Sequence, residues 1–343
     1  MYPRTSRNVL KMWLDGSRAT QDGQEVLVEQ SLAKTWDLHG KYPIQAIEHL
    51  IRASGLYSEV GDRLGVAECQ QSLANIYRMR KKDSLSIDSY TRAHKLYIEI
   101  GDQRRGAKCE QDLADIHCSR GDHVQAIEHF ARALELYSDI GDRPGVAECQ
   151  RLMGDIHRVR NEYDQAMERL VQALEVFSEI GDHIGMARCQ HSLGTIHCAR
   201  DEYEQAVETL VQAERVFSEM GQDYRVHATD CLQSLGNLHR VHEEYDAARE
   251  ELGRALELAA VTGDRHEIAW SRVYMGLLEH DQRRFADAVQ SVEAARSLFT
   301  EIQEEFGIKY CLDLLTRISK DMADDEGLGD SHVVLSDDLA TLG

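Results

Sequence analysis

The chain has 343 residues, a formal net charge of −21, 6 % aromatic residues and three prolines. A negative field of that size repels nucleic acid and anionic membrane surfaces, so neither is an expected partner. No apolar run approaches the roughly 20 residues that span a bilayer, and the opening MYPRTSRNVLKMWLDG lacks the apolar centre of a signal peptide. These features predict a cytoplasmic protein.

In chain order, the sequence predicts four segments. They are an N-terminal helical cap or partial repeat at 1–29, about seven helix hairpins at 30–303, a capping helix at 304–322, and an acidic, disordered tail at 323–343. The capping helix is expected to turn its large apolar residues inward, namely Phe306, Tyr310, Leu314 and Ile318.

Glycine-aspartate pairs divide the repeat region at intervals of 40 to 42 residues. Glycine adopts the left-handed conformation that ends a helix, and the side chain of aspartate caps the next helix. Each pair therefore predicts the end of one helix and the start of another. The pairs begin at Gly61, Gly101, Gly141, Gly181 and Gly263, while Gly221 is followed by Gln222 instead of aspartate.

Two apolar stripes of helical period lie between successive pairs. In 182–220 they predict a first helix at about 186–199 and a second at about 203–219, joined by the polar turn Asp201-Glu202. Each repeat is therefore predicted to be a pair of antiparallel helices. Such a hairpin is not stable alone, so neighbouring hairpins must cover its two faces.

Small and large residues recur in register along these helices, and their pattern resembles the tetratricopeptide repeat. The matching positions in one repeat are Leu193, Gly194, His197, Ala206, Leu210 and Ala213. The longer, 40-residue form is similar to the repeats of Pins-type adaptors and of signal-transduction ATPases. This resemblance implies an all-α fold, an α-solenoid of stacked antiparallel helix hairpins that coils into a right-handed superhelix. Ser86 departs from the pattern, which expects alanine there.

Cysteine and histidine form columns along the first helices. The cysteines at Cys69, Cys109, Cys149, Cys189, Cys231 and Cys311 are interpreted as reduced, buried packing residues, because equivalent positions on adjacent hairpins lie about 10 Å apart, too far for disulfides. Cys118 and Cys198 lie off this column and are predicted to be more exposed and more reactive.

The histidines His117, His157, His197 and His239 are interpreted as buried and neutral; a metal or redox protein using these columns is the alternative. Arg80, Arg120, Arg160 and Arg200 are expected to complement the C-terminal ends of their helices.

The resemblance also implies a concave groove lined by the first helix of every pair. The candidate partner-binding residues are Gln71, Asn75, Arg78, Gln111, Asp115, Arg151, Asp155, Arg158, Arg188, His191, Thr195, Gln233, Asn237, Arg240, Trp270, Val273 and Leu277. With Glu68, Lys108, Glu148 and Asp230 added, six basic residues face five acidic ones. A ligand of mixed polarity is therefore expected.

The last three candidates are apolar and lie on one helical face. Trp270, Val273 and Leu277 are either an exposed hot spot for a partner or a surface covered by the capping helix or the tail, with Val333, Val334 and Leu335 as the plug. The sequence leaves both interpretations open.

No phosphate-binding glycine loop, zinc-protease motif or nucleophile elbow stands out, so neither an enzyme nor a cofactor is predicted. The predicted function is a non-catalytic scaffold whose groove binds an extended peptide or helical segment of a protein partner. The alternative is the ligand-sensing, regulatory part of a larger signalling ATPase.

Overall fold

A computed structural model describes residues 43–325, and every regular element in that range is a helix. The helices divide into two compact units, unit 1 ending at Glu162 and unit 2 beginning at Tyr163. The predicted N-terminal cap and most of the predicted tail lie outside the described residues. Between residues 43 and 325, no helix is both long and apolar enough to cross a membrane.

Within residues 43–162, unit 1 has six helices of 17 residues each. They are α1 (Pro43–Glu59), α2 (Arg63–Met79), α3 (Asp83–Glu99), α4 (Gln103–Ser119), α5 (His123–Asp139) and α6 (Arg143–Val159). α2 packs against α3 and α4 against α5 as antiparallel hairpins, which makes α2, α4 and α6 the first helices of their repeats.

Unit 2 continues the same alternation. It contains α7 (Tyr163–Ile180), α8 (His183–Ala199), α9 (Tyr203–Glu219), α10 (Arg225–Val241), α11 (Tyr245–Thr262), α12 (Arg265–Asp281), α13 (Phe285–Glu301) and α14 (Glu305–Asp325). The hairpins are α8–α9, α10–α11 and α12–α13. The predicted helix pair in 182–220 is confirmed, although α8 begins three residues before the predicted 186.

The glycine-aspartate pairs end and start helices as predicted. Gly61 has a φ of 76°, and the carboxylate of Asp62 accepts a hydrogen bond from the backbone N–H of Gly65 at 3.0 Å. The pair at 221–222 differs. Gly221 is still left-handed, but Gln222 supplies no side-chain cap, and a 3₁₀ turn, Gln222–Tyr224, precedes α10.

The small and large residues that recur in register along the sequence form the interior of each unit. All six column cysteines are fully buried. Ser86, the exception to the alanine row, is also fully buried, and its hydroxyl donates to the carbonyl of Ala74 at 2.8 Å. The serine therefore fits the small-residue position because it finds a backbone acceptor there.

The capping helix forms, but two of its residues face the other way. α14 buries Gly307, Cys311, Leu314 and Ile318 against α12 and α13. The prediction that Phe306 and Tyr310 face inward is wrong, because 67 % of Phe306 and 36 % of Tyr310 are exposed. The helix can bury only one stripe, because it packs on one hairpin, and Gly307 and Cys311 occupy that stripe.

Candidate functional site

Most of the predicted groove residues lie on the open face of the first helices. Fourteen of the seventeen are half-buried or exposed. In unit 1 these are Gln71, Asn75, Arg78, Gln111, Asp115, Arg151, Asp155 and Arg158; in unit 2 they are Arg188, His191, Thr195, Asn237, Arg240 and Trp270.

The other three residues, Gln233, Val273 and Leu277, are buried, so of the two interpretations left open the exposed apolar cluster is the wrong one. Val273 is 0 % and Leu277 is 6 % exposed, because both pack in one cluster with Leu314 and Ile318 of α14. The interpretation in which the capping helix covers this surface is the correct one. Gln233 is buried because its amide nitrogen donates to Ser271 Oγ at 3.0 Å and to Glu267 Oε2 at 3.2 Å.

In unit 1, tyrosines of α3 orient two amides of α2. Tyr97 Oη donates to Gln71 Oε1 at 2.9 Å, and Tyr90 Oη donates to Asn75 Oδ1. Both tyrosine side chains are fully buried in the hairpin. Within the described residues, the amide NH₂ groups of Gln71 and Asn75 have no hydrogen-bond acceptor. Two oriented donors therefore remain available on this face.

The charged residues of the same face largely pair with one another. Arg151 binds Glu148 Oε1 and Asp155 Oδ2, each at 2.6 Å. Arg105 Nη1 lies 3.0 Å from Glu68 Oε1, which connects α4 to α2. Such pairs fix side-chain positions more than they add stability.

Asp115 is the exception among these charges. Its closest cation, Arg78 Nη1, is 4.0 Å away. Burial, followed by the nearby charge of Asp112, raises the pKa of Asp115 to about 6. Burial likewise raises the pKa of Asp112. The middle of the unit 1 face therefore carries two carboxylates, Asp112 and Asp115, whose negative charge is disfavoured by burial. Binding a cation or a proton there stabilises the folded protein.

Asp115→Asn is expected to stabilise unit 1 at pH 7.5 and to have no effect at pH 4. The folded protein binds the Asp115 proton more tightly than the unfolded chain, so stability falls as the pH rises from about 4 to about 6. A pKa change from 3.8 to about 6 corresponds to ~3 kcal/mol. Since the side chain is 38 % exposed, we expect about 1 kcal/mol. Urea denaturation at both pH values measures this difference.

The control is Asp88→Asn, which changes an exposed carboxylate of α3 paired with Arg92 at 2.8 Å. It is expected to change stability by less than about 0.5 kcal/mol at either pH. An Asp115→Asn variant that is equally stable relative to the parent at pH 4 and pH 7.5 would contradict the raised pKa.

The open face of unit 2 forms a cavity near its C-terminal end. The cavity has a volume of about 570 Å³. Its walls come from α10, α12 and α14, and the lining residues are Asn237, Arg240, Tyr274, Leu277, His280, Asp281, Tyr310 and Arg317. Sequence reasoning found Asn237, Arg240 and Leu277 but missed Tyr310 and Arg317, since it assigned Tyr310 to the interior.

The histidine column has carboxylate partners that the sequence interpretation missed. The Nδ1 atom of His157 lies 2.7 Å from Glu162, that of His197 lies 2.5 Å from Glu202, and that of His239 lies 2.8 Å from Glu244. Each carboxylate follows its histidine by five residues, immediately before the next helix. Each pair therefore links the C-terminal end of a first helix to the turn that follows it. Among the described residues, no group of three or more His, Cys, Asp or Glu is arranged to hold a metal ion.

The two off-column thiols are more accessible than the thiols of the column. Cys118 and Cys198 are half-buried, and burial raises the pKa of each to about 11. They are therefore more exposed than the six column cysteines, as predicted, although a thiol with so high a pKa carries little thiolate at neutral pH.

Comparison with known families identifies the repeats. The family model described as "Tetratricopeptide repeat" matches residues 110–179 and 162–219, and the model described as "Soluble NSF attachment protein, SNAP" matches residues 33–138. This chain is a repeat protein of the tetratricopeptide type. The finer resemblance to Pins-type adaptors and signalling ATPases stays a prediction. A search of the curated proteins finds no match.

Solved structures share the fold of this tetratricopeptide-type protein at low sequence identity. The apo form of RapI has a TM-score of 0.65 and 17 % identity, over 82 % of this chain and 99 % of its own. A tetratricopeptide repeat protein from Parabacteroides merdae has a TM-score of 0.61 and 16 % identity, over 85 % and 99 %. A Rap protein complexed with Competence and Sporulation Factor has a TM-score of 0.56 and 16 % identity, over 93 % and 92 %. Identities this low show the fold alone.

Proposed function

We propose that this protein is a non-catalytic interaction scaffold that binds an extended peptide or a helical segment of a partner protein on the open faces of its first helices. A cytoplasmic location is part of the proposal, because reduced thiols such as the buried cysteine column persist there.

The observation that supports this proposal most directly is the pair of oriented amides on α2. Gln71 and Asn75 are held by tyrosines through their oxygen atoms, while their NH₂ donors lack acceptors among the described residues. Backbone carbonyls of an extended peptide are suitable acceptors for such donors. Because the tyrosines are buried, the amides are already ordered before a partner arrives, which lowers the entropic cost of binding.

A second line of support comes from the fold. The Rap protein among the structural neighbours was crystallised with Competence and Sporulation Factor bound. That complex concerns the neighbour. It supports the proposal only by indicating that an architecture of this kind accommodates a second molecule.

A photo-crosslinking amino acid at position 78 tests the proposal. Arg78 is an exposed residue of the open face of α2, next to Asn75. In extract of the source cells, irradiation of the full chain is expected to attach one discrete partner to this position. Mass spectrometry of the product identifies the crosslinked segment.

The matched control carries the same crosslinker at Arg92, an exposed residue of the second helix α3 in the same unit. Position 92 is expected to give less than a tenth of the product found at position 78. Equal products at both positions, or a product only at position 92, would contradict binding on the first-helix face.

A further inference from the structure

The charges around the unit 2 cavity are unevenly satisfied. Arg240 pairs with Asp281 and donates to Asn237 Oδ1 at 2.9 and 3.1 Å. His280 Nε2 lies 2.8 Å from Asp321 Oδ2. Arg317 has no carboxylate partner within residues 43–325. Arg317 is therefore an exposed guanidinium of the lining that has no carboxylate within 4 Å among the described residues.

Two exposed aromatic side chains, Tyr310 and Phe306, lie on the same helix α14 as this guanidinium, and we call them the aromatic shelf. Tyr310 lines the cavity, and its ring centre lies 5.7 Å from that of Trp270 and 6.4 Å from that of Phe306. Phe306 is the most exposed aromatic side chain of the described chain. Phe306, Tyr310 and Arg317 share one face, since they are four and seven residues apart on a helix of period 3.6.

This arrangement selects for a particular chemistry. Arginine binds a carboxylate strongly where water is partly excluded, and exposed aromatic rings bind aliphatic or aromatic side chains. Phe306 and Arg317 are eleven residues apart, or about 16 Å along the helix axis. An extended segment covers that distance in about five residues, since it rises about 3.3 Å per residue.

We propose that this cavity and the adjoining aromatic ring of Phe306 together form the anchoring subsite for the partner segment, which places a carboxylate side chain at Arg317 and an apolar side chain, about five residues away, on Tyr310 and Phe306. The inference rests on the proposed function and specifies the partner as an acidic and apolar peptide segment at this site. Arg317 provides a local positive charge for the acidic residue of such a segment, on a protein whose net charge is −21.

A phage-displayed library of random 12-residue peptides, selected on the full chain, tests the proposal. The enriched peptides are expected to contain Asp or Glu about five positions from an apolar residue. Fluorescence anisotropy of labelled winners should show that Arg317→Glu weakens binding at least tenfold, that Arg317→Lys weakens it less than threefold, and that Phe306→Ala weakens it several-fold. Changing the acidic residue of the peptide to lysine should restore binding to Arg317→Glu.

Arg215→Glu is the matched control, because Arg215 is an exposed arginine of the second helix α9 in the same unit, paired with Glu219 at 3.0 Å. It is expected to change affinity less than twofold. Enriched peptides without an acidic residue, or an Arg317→Glu affinity within twofold of the parent, would overturn the subsite while leaving the proposed function intact. Failure to enrich any peptide would contradict both.

Discussion

Replacing Gly194 by leucine is expected to destabilise unit 2 by about 3 kcal/mol, because α8 and α9 approach too closely for a side chain at this position. A Cβ atom on Gly194 would lie 2.6 Å from Cγ of Leu210 and 2.9 Å from Oγ1 of Thr209. A leucine adds three further carbon atoms to that contact, so the two helices have to separate. Urea denaturation followed by circular dichroism measures the loss, and hydrogen exchange locates it in α8 and α9.

Gly253→Leu is the matched control for this prediction. Gly253 lies inside α11, and a Cβ atom there would meet nothing within 4 Å. Since leucine favours the helix over glycine, this variant is expected to be more stable by about 0.5–1 kcal/mol. A Gly194→Leu variant as stable as the parent would show that the hairpin is not packed as described.

Whether the small residue of the first helix is glycine or alanine depends on the side chain that faces it from the second helix, sixteen positions later in the sequence. Glycine at Gly194 and Gly236 faces the branched side chains of Leu210 and Leu252. Alanine at the equivalent position 74 shares a core cluster with the flat ring of Tyr90, and the alanine at 114 does so with Phe130. A flat ring leaves room for a methyl group where a branched chain does not. The double variant Gly194→Ala, Leu210→Phe should therefore be more stable than Gly194→Ala alone.

The repeat period and the glycine-aspartate pairs were sufficient to predict the hairpins, because helix ends and apolar stripes are local properties of the chain. The pairing of glycine with leucine and of alanine with aromatic rings was not recognised. This pairing depends on which two positions face each other across a hairpin. The spacing of residues within one helix does not indicate which positions those are.

The face of α14 was predictable from a signal that the sequence interpretation overlooked. Gly307 lies eight residues after Phe299, and a Cβ atom on Gly307 would lie 2.6 Å from that ring. The same interval separates Gly185 from Phe177 and Gly145 from Tyr137. A glycine eight residues after an aromatic therefore marks the buried stripe of the next helix, and Cys311 lies on the same stripe. Hydrophobicity alone favoured Phe306, which is why the exposed aromatic shelf and Arg317 were missed.

The buried hydrogen-bond and charge partners were the least predictable feature. Gln233 looked like a groove residue because the repeat pattern leaves its position polar. Its partners, Glu267 and Ser271, belong to the next first helix and lie 34 and 38 residues away. Contacts between repeats at this distance depend on how the hairpins stack, so the sequence of one repeat does not reveal them.

Glu110→Ala is the second substitution for which we expect a large effect, a loss of about 3 kcal/mol in unit 1. Glu110 is buried on α4, with His129 Nδ1 at 2.8 Å, His94 Nε2 at 3.4 Å and Arg132 Nη1 at 3.6 Å. Burial alone would raise its pKa, but the hydrogen bond to His129 and the charges of His94, His129 and Arg132 lower the pKa below its usual value. Removing the carboxylate leaves a cavity between α3, α4 and α5, and it leaves these three groups without their shared acceptor and negative charge.

The pH dependence separates this charge effect from a simple loss of packing. A carboxyl group whose pKa is lowered by folding stabilises the protein above its unfolded pKa, and this contribution disappears as the pH falls through the folded pKa. The difference between the parent and Glu110→Ala should therefore be largest at neutral pH and shrink below about pH 4.5. Glu128→Ala, which removes an exposed carboxylate 3.8 Å from Arg132, should cost less than about 0.5 kcal/mol. A Glu110→Ala loss that is the same at pH 4 and pH 7 would mean that the side chain acts by filling space, and that the interior of unit 1 does not depend on this ionic contact.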